Sequence, residues 1–127
     1  MIVVDASAAL SGLLNDGPAR DMLATDQLHA PHLVDSEVAS GLRRRVAAGR
    51  IEVSDGWTAL DAWRRLGITR YAVHPLLDRV WQLRDNVSAF DAGYVALAES
   101  LNCALVTADA RLSRAPGAHC TITVVPR

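Results

Sequence analysis

The sequence predicts a single α/β domain, residues 1–127, with a mainly parallel central sheet and helices on both faces. Three observations lead there. Short runs rich in β-branched and aliphatic residues recur at 1–4, 103–107 and 121–125, the length and composition of strands buried on both faces. Between them, apolar residues recur at helical spacing, so strands alternate with helices. A chain of 127 residues, half of them hydrophobic, is large enough to bury one core without staples.

Taken in order, the opening Met-Ile-Val-Val run stops at Asp5, and Ser7 is placed to cap a helix through Ala8, Leu10, Leu13 and Leu14. Asn15-Asp-Gly-Pro18 is a turn. A short helix over 19–25 and a weak strand around 28–30 follow. Pro31 opens a longer helix on which Leu33, Val34, Glu37, Val38, Gly41, Leu42 and Val46 recur, with Gly49 as its stop. Residues 51–84 read as two or three helices carrying Trp57, Trp63 and Trp81, tryptophans expected mainly in the core. Ser88 caps a further helix with Asp91 in its first turn and Phe90, Tyr94, Leu97, Ala98 and Leu101 on one face.

Composition removes several classes of function. The net charge is −1, so no global basic field marks a nucleic-acid partner. All 13 basic residues are arginine. Phosphate recognition therefore falls to local arginines, backbone N–H groups or a metal. Cys103 and Cys120 show neither metal-ligand nor redox spacing, and Cys103 reads as a buried free thiol. Neither a signal peptide nor a run of about 20 apolar residues is visible, which points to a soluble cytoplasmic protein away from membranes.

In parallel sheets, ligands bind beyond the carboxyl ends of the strands. Asp5 closes the first strand and Asp109 follows the strand that ends at Thr107, while Glu37 and Asp91 sit early in helices that follow strands. Singly, Asp5 and Asp109 fit helix caps as well as ligands, and Asp91 suits its helix dipole whatever its role. Glu37, on a mostly apolar face, needs a partner. The remaining aspartates, Asp35 among them, read as caps or surface residues. If the four acids converge, two carboxylates about 4 Å apart repel by roughly 4 kcal/mol at a typical effective dielectric. A cation in the gap relieves that, and an all-oxygen set favours Mg²⁺ or Mn²⁺. Such a cluster, without lysine, a histidine pair or a Gly-rich phosphate loop, suits metal-assisted phosphodiester hydrolysis.

Four segments then resemble a known family. Ile2-Val-Val-Asp5-Ala-Ser7, Pro31-x-Leu33-x-x-x-Glu37-Val38, Ser88-Ala-Phe-Asp91-Ala-Gly-Tyr94 through Glu99, and Leu105-Val-Thr107-Ala-Asp109-Ala-Arg111-Leu112 look like the PIN-domain motifs of VapC toxins, in order and spacing. The family's acids match at Asp5, Glu37, Asp91 and Asp109; Ser7 and Thr107 match its hydroxyl residues beside the first and last acid. Phe90 departs from a frequent tyrosine. The resemblance implies a PIN fold and a Mg²⁺- or Mn²⁺-dependent endoribonuclease, with Asp5, Glu37, Asp91 and Asp109 catalytic and Asp5, Asp91 and Asp109 holding metal. It also implies a homodimer neutralised by a cognate VapB-type antitoxin, and structured RNA such as tRNA or rRNA as target. The alternative within the fold is an RNA-processing nuclease without an antitoxin.

Outside the acids, Arg43, Arg44 and Arg45 continue the Glu37 helix away from the acids and are candidates for RNA phosphates, or else a solvated helix end. Arg111 is a candidate phosphate or acid partner. The tryptophan- and leucine-rich middle is the expected source of an antitoxin groove. Receiver-type phosphorylation needs an acidic pair near the first strand and a lysine, and dehalogenase-type phosphatases need an aspartate where Ser7 stands. An idle binding module that keeps only the fold is separated from a nuclease by a metal-dependence assay.

Overall fold

Strands β1 (Ile2–Val4), β2 (Leu28–Pro31), β3 (Ile68–Tyr71), β4 (Ala104–Thr107) and β5 (Ile122–Val124) pair in parallel in the order β3-β2-β1-β4-β5. The structure is a computed structural model that describes residues 1–127. Helices α1 (Ala6–Leu14), α2 (Pro18–Thr25), α3 (Val34–Ala47) and α4 (Val53–Arg65) occupy the β1-to-β3 half of the chain. A single turn at His74–Leu76, then α5 (Leu77–Gln82) and α6 (Ala89–Leu101), lead back to β4, and α7 (Ala110–Ser113) precedes β5.

Strand order fixes the layers. From β1 the chain winds outward to β2 and β3, then returns across the sheet to β4 and winds outward to β5 on the other side. Parallel crossovers are right-handed, so reversing the winding direction puts α1–α4 on one face and α6 on the other. The packing agrees: α1 lies against α2, α3 and α4, whereas α6 crosses β1, β2 and β4 with α5 against it. Between them, Val3, Ala30, Val34, Val38, Ala98 and Leu105 are fully buried. The reversal falls between β1 and β4, where Val4 and Val106 stand in register, and a switch point of this kind opens a crevice at the strand ends. No helix is long and apolar enough to cross a membrane.

Four local expectations change. Pro31 ends β2 rather than opening a helix, and α3 starts at Val34. Proline's fixed φ suits an extended residue whose N–H the ladder can spare. Residues 51–84 contain β3 as well as helices, because an edge strand exposed along part of its length carries too little apolar signal to announce itself. Of the tryptophans, only Trp63 is core, 1% exposed; Trp57 and Trp81 are 56% and 68% exposed. Asp35, expected as a surface acid, accepts from Trp63 Nε1 at 2.8 Å and from Arg70 Nε and Nη2 at 2.6 and 2.9 Å, tying α3 to α4 and β3. Both cysteines are free and half-buried.

Candidate active site

Asp5 leaves β1 and becomes the N-cap of α1, its Oδ1 accepting from Ala8 N at 2.9 Å. Ser7 was the expected cap; it lies inside the helix instead and serves the same carboxylate. Its hydroxyl donates to Asp5 Oδ1 at 2.7 Å and accepts from Ala108 N at 2.8 Å. Thr107, fully buried at the end of β4, donates from Oγ1 to Asp5 Oδ2 at 2.5 Å and accepts from Asp109 N at 3.0 Å. Asp5 is only 5% exposed, so the strand ends on either side of the switch point are joined through one carboxylate.

Glu37 reaches the crevice from the first turn of α3, where Tyr94 OH of α6 donates to its Oε1 at 2.9 Å. Asp91 stands in the first turn of α6 behind the Ser88 cap. Asp109 is the N-cap of α7, and its carboxylate pairs with Arg111 at 3.2 Å to Nε and 3.3 Å to Nη2. All four acids line one cavity of about 380 Å³.

Their proton affinities divide. Burial pushes the Asp5, Glu37 and Asp91 carboxyls above the usual range. Hydrogen bonds oppose this: Thr107, Ala8 and Ser7 at Asp5, Tyr94 at Glu37, Ser88 at Asp91. The acids also raise one another, Asp91 acting on Asp5, and Asp5 and Asp91 on Glu37. Asp109 goes the other way, held low first by its hydrogen bond to Arg111. Burial and the Glu37 charge raise the Tyr94 phenol, which therefore stays a donor.

No group of three or more His, Cys, Asp or Glu side chains is arranged as a finished metal cage. The donor chemistry nonetheless fits a hard divalent cation: oxygen only, desolvated, and mutually repelling at three positions. Mg²⁺ keeps several waters and commonly takes only one or two carboxylates, so it does not need a closed cage. Asp109 differs in already having a cation, Arg111, against its carboxylate.

The arginine run divides. Arg44 and Arg45 line the same cavity as the acids, contrary to the expectation that the helix carries them away, whereas Arg43 is exposed outside it. The signal was in the spacing: at about 100° per residue, Arg44 lies within about 20° of Glu37 around α3, and Arg43 about 120° away. Two contributors were not expected at all. Tyr94 was read only as a buried helix-face residue. Arg127, which lines the cavity and donates from Nε to Ala108 O at 3.3 Å, has no local sequence signature.

Comparison with known proteins agrees with this architecture. The PIN domain family matches residues 2–118. VapC ribonuclease Mb0985 of Mycobacterium bovis and Ribonuclease VapC9 of Mycobacterium tuberculosis are each 64% identical over 127 residues, covering 100% of both chains. Ribonuclease VapC1 of Mycobacterium tuberculosis is 43% identical, covering 97% of this chain and 96% of its own. Among solved structures, PAE2754 from Pyrobaculum aerophilum superposes with a TM-score of 0.72 at 22% identity, covering 97% of this chain and 83% of that one. Mycobacterium tuberculosis VapC20, a Sarcin-Ricin loop cleaving toxin, gives 0.67 at 20% identity, with 90% and 94% covered. A five-stranded parallel sheet with acids gathered at its switch point, matched along its whole length by these relatives, places the chain in the PIN-domain family, among the VapC ribonucleases.

Proposed function

We propose that this protein, a PIN domain from residue 1 to 127, is the toxin of a type II toxin–antitoxin pair and cleaves structured RNA in the cytoplasm as a metal-dependent endoribonuclease. The observation that carries this reading is the convergence of Asp5, Glu37, Asp91 and Asp109, from four separate segments, on one cavity at the β1/β4 switch point.

Asp5, Asp91 and Asp109 are the residues that would hold Mg²⁺ or Mn²⁺, which supplies positive charge against the phosphodiester and activates water for attack. Ser7, Thr107 and the Ala8 N–H fix both Asp5 oxygens, so this carboxylate is oriented before any ligand arrives. Tyr94 aims Glu37, whose raised proton affinity suits it to take a proton from the attacking water. The Asp109–Arg111 pair is a weak latch: Arg111 is 82% exposed, and solvent screening leaves such a pair little to set against a divalent ion.

For partners, the reading includes a cognate VapB-type antitoxin and a homodimer. Leu33, Leu77 and Phe90 are each at least half exposed around a second, apolar cavity of about 160 Å³ that shares Glu37 and Tyr94 with the acidic one. An apolar surface beside the catalytic cavity suits a protein that must both anchor and block.

The test is cleavage of labelled tRNA and rRNA fragments by purified protein. Activity should stop in EDTA and return with Mg²⁺ or Mn²⁺, with Zn²⁺ a poor substitute at an all-oxygen site. Full activity in EDTA would remove the metal from the mechanism. Growth arrest on expression, relieved by a neighbouring gene product, separates a toxin from a processing nuclease.

A further inference from the structure

The cavity that holds the four acids has a second, oppositely charged wall. Arg44, Arg45 and Arg127 line it, and none of them forms an ion pair although carboxylates share the same space. Each guanidinium is instead positioned by a neutral acceptor: Arg44 Nη1 by Ser40 Oγ at 2.9 Å, Arg45 Nη1 by Gly41 O at 3.0 Å, and Arg127 Nε by Ala108 O at 3.3 Å. Arg45 is partly buried and crowded by Arg44, Arg50 and Arg127, which weakens its hold on its proton.

Three cations that share one wall and form no ion pair leave their guanidinium donors open to an anion. Glu37 does not supply it to Arg44 and Arg45 because the helix sets their positions apart, and Arg127 is matched only at longer range, its charge helping to lower the Asp109 carboxyl without an ion pair. Arg44 and Arg45 lie seven and eight residues beyond Glu37, about 10–12 Å along α3 at about 1.5 Å per residue. Both donate to groups four residues earlier, so their heads lean back along α3 toward the cavity, Arg45 half-buried and Arg44 open to solvent.

We propose that Arg44, Arg45 and Arg127 form an anion subsite that holds a backbone phosphate of the RNA next to the one cleaved at the acids. Phosphate is the fitting ligand because guanidinium forks meet its oxygens bidentately, and RNA carries such groups at regular intervals beyond the scissile one. The subsite rests on the ribonuclease reading and adds to it a polarity: the RNA enters with one phosphate on the arginine wall and the next at the acids. It also divides the arginine run, since Arg43 faces away from the cavity and takes no part.

The probe is a fluorescein-labelled RNA hairpin, titrated in EDTA so that nothing is cut, with anisotropy read over a range of KCl concentrations. Arg45→Gln and Arg127→Gln should each weaken binding several-fold and lower the slope of log affinity against log salt, with the double variant approaching a loss of about 0.7–0.9, the value of one phosphate contact. Arg45→Lys should keep most of the slope, because the charge stays. Arg43→Gln, with the same charge change on the same helix, should match the wild type. If the Gln variants keep the wild-type slope, or Arg43→Gln lowers it equally, the subsite is overturned. Variants that hold RNA normally but lose a co-expressed antitoxin would assign the wall to a partner carboxylate and overturn it as well. Should Arg45→Gln melt early, Arg127→Gln and Arg45→Lys decide. A wild type that cuts RNA with all variants unchanged defeats the subsite alone; a wild type that neither binds nor cuts RNA defeats the ribonuclease reading itself.

Discussion

Asp35 and Glu37 leave the first turn of α3 in opposite directions, and the two sides of the helix treat them differently. Asp35 meets Arg70 and Trp63, and the Arg70 hydrogen bonds hold its carboxyl below the usual range. Glu37 meets Tyr94 and, beyond it, the charges of Asp5 and Asp91; burial pushes its carboxyl up. Both feel the same helix dipole, so the dipole does not decide the outcome. Partner supply does. On the α4–β3 side a carboxylate is matched by a guanidinium and serves the fold. On the cavity side Asp5, Glu37 and Asp91 are left with hydroxyl and backbone N–H donors and each other, a state that favours a cation.

The largest break in that contrast comes from the unmatched acids. Asp5→Asn or Asp91→Asn should lower single-turnover RNA cleavage by at least about a thousandfold, since a metal supplies several kcal/mol of transition-state stabilisation and each 1.36 kcal/mol is tenfold. Metal-free Asp91→Asn should melt no earlier, because a repelling charge is gone. Asp5→Asn keeps the α1 cap but leaves one acceptor oxygen where the carboxylate has two, and gives back part of that gain at the buried Thr107 hydroxyl. Wild-type cleavage by Asp91→Asn would move that residue out of the site.

Next in size is Tyr94→Phe, which leaves Glu37 in place without its donor. Loss of a hydrogen bond that orients a catalytic or ligand group typically costs about 10–100-fold. The fall should appear in the cleavage rate with RNA affinity in EDTA unchanged. A variant as fast as the wild type would reduce Tyr94 to packing.

On the matched side, Asp35→Ala should reverse the pattern: cleavage per folded molecule holds while stability drops by about 1–2 kcal/mol, a few degrees of Tm. The figure is kept small because the Asp35 side chain is 44% exposed and solvent screens the pair. Loss of activity in a variant that melts normally would show that α3 transmits more than support.

The smallest effect is in pH. Asp5, Glu37 and Asp91 have folded pKa values above their unfolded ones, so their contribution to stability is present in full below the unfolded range and is lost as pH rises through the folded values. Asp35 has the opposite sign: its contribution is present above the unfolded value and lost as pH falls through the lowered folded one. Without metal, the Tm advantage of Asp91→Asn over the wild type should therefore be seen at pH 7 and shrink toward pH 4. Scanning calorimetry in EDTA reads it directly, and an advantage that grows on acidification would contradict the burial of Asp91.

Asp5 and Asp109 were legible in the sequence because an apolar strand that ends on an acid announces both the strand and its carboxyl edge. Asp91 was legible from the Ser88 cap. β3 was not, since an edge strand need not be apolar. Asp35 was misread because its partner is 35 residues away on that unseen strand. Arg44 could have been separated from Arg43 by helical phase; taken as a block, the run hid the distinction. Arg127 depends on β5 returning beside β4, where Val125 N bonds Thr107 O, and only the tertiary path supplies that information.

The hydrogen bond from Thr107 to Asp5 spans 102 residues, joining β1 to β4. At about 5–20 residues per second, the ribosome needs on the order of 5–20 s to cover that interval. Throughout it, β1 has no β4 beside it, and Asp109 does not yet exist to complete the acid set. A chain still short of β4 therefore has Asp5 without the Thr107 hydroxyl that fixes its Oδ2, and this side of the cavity is ordered only once both segments have been made.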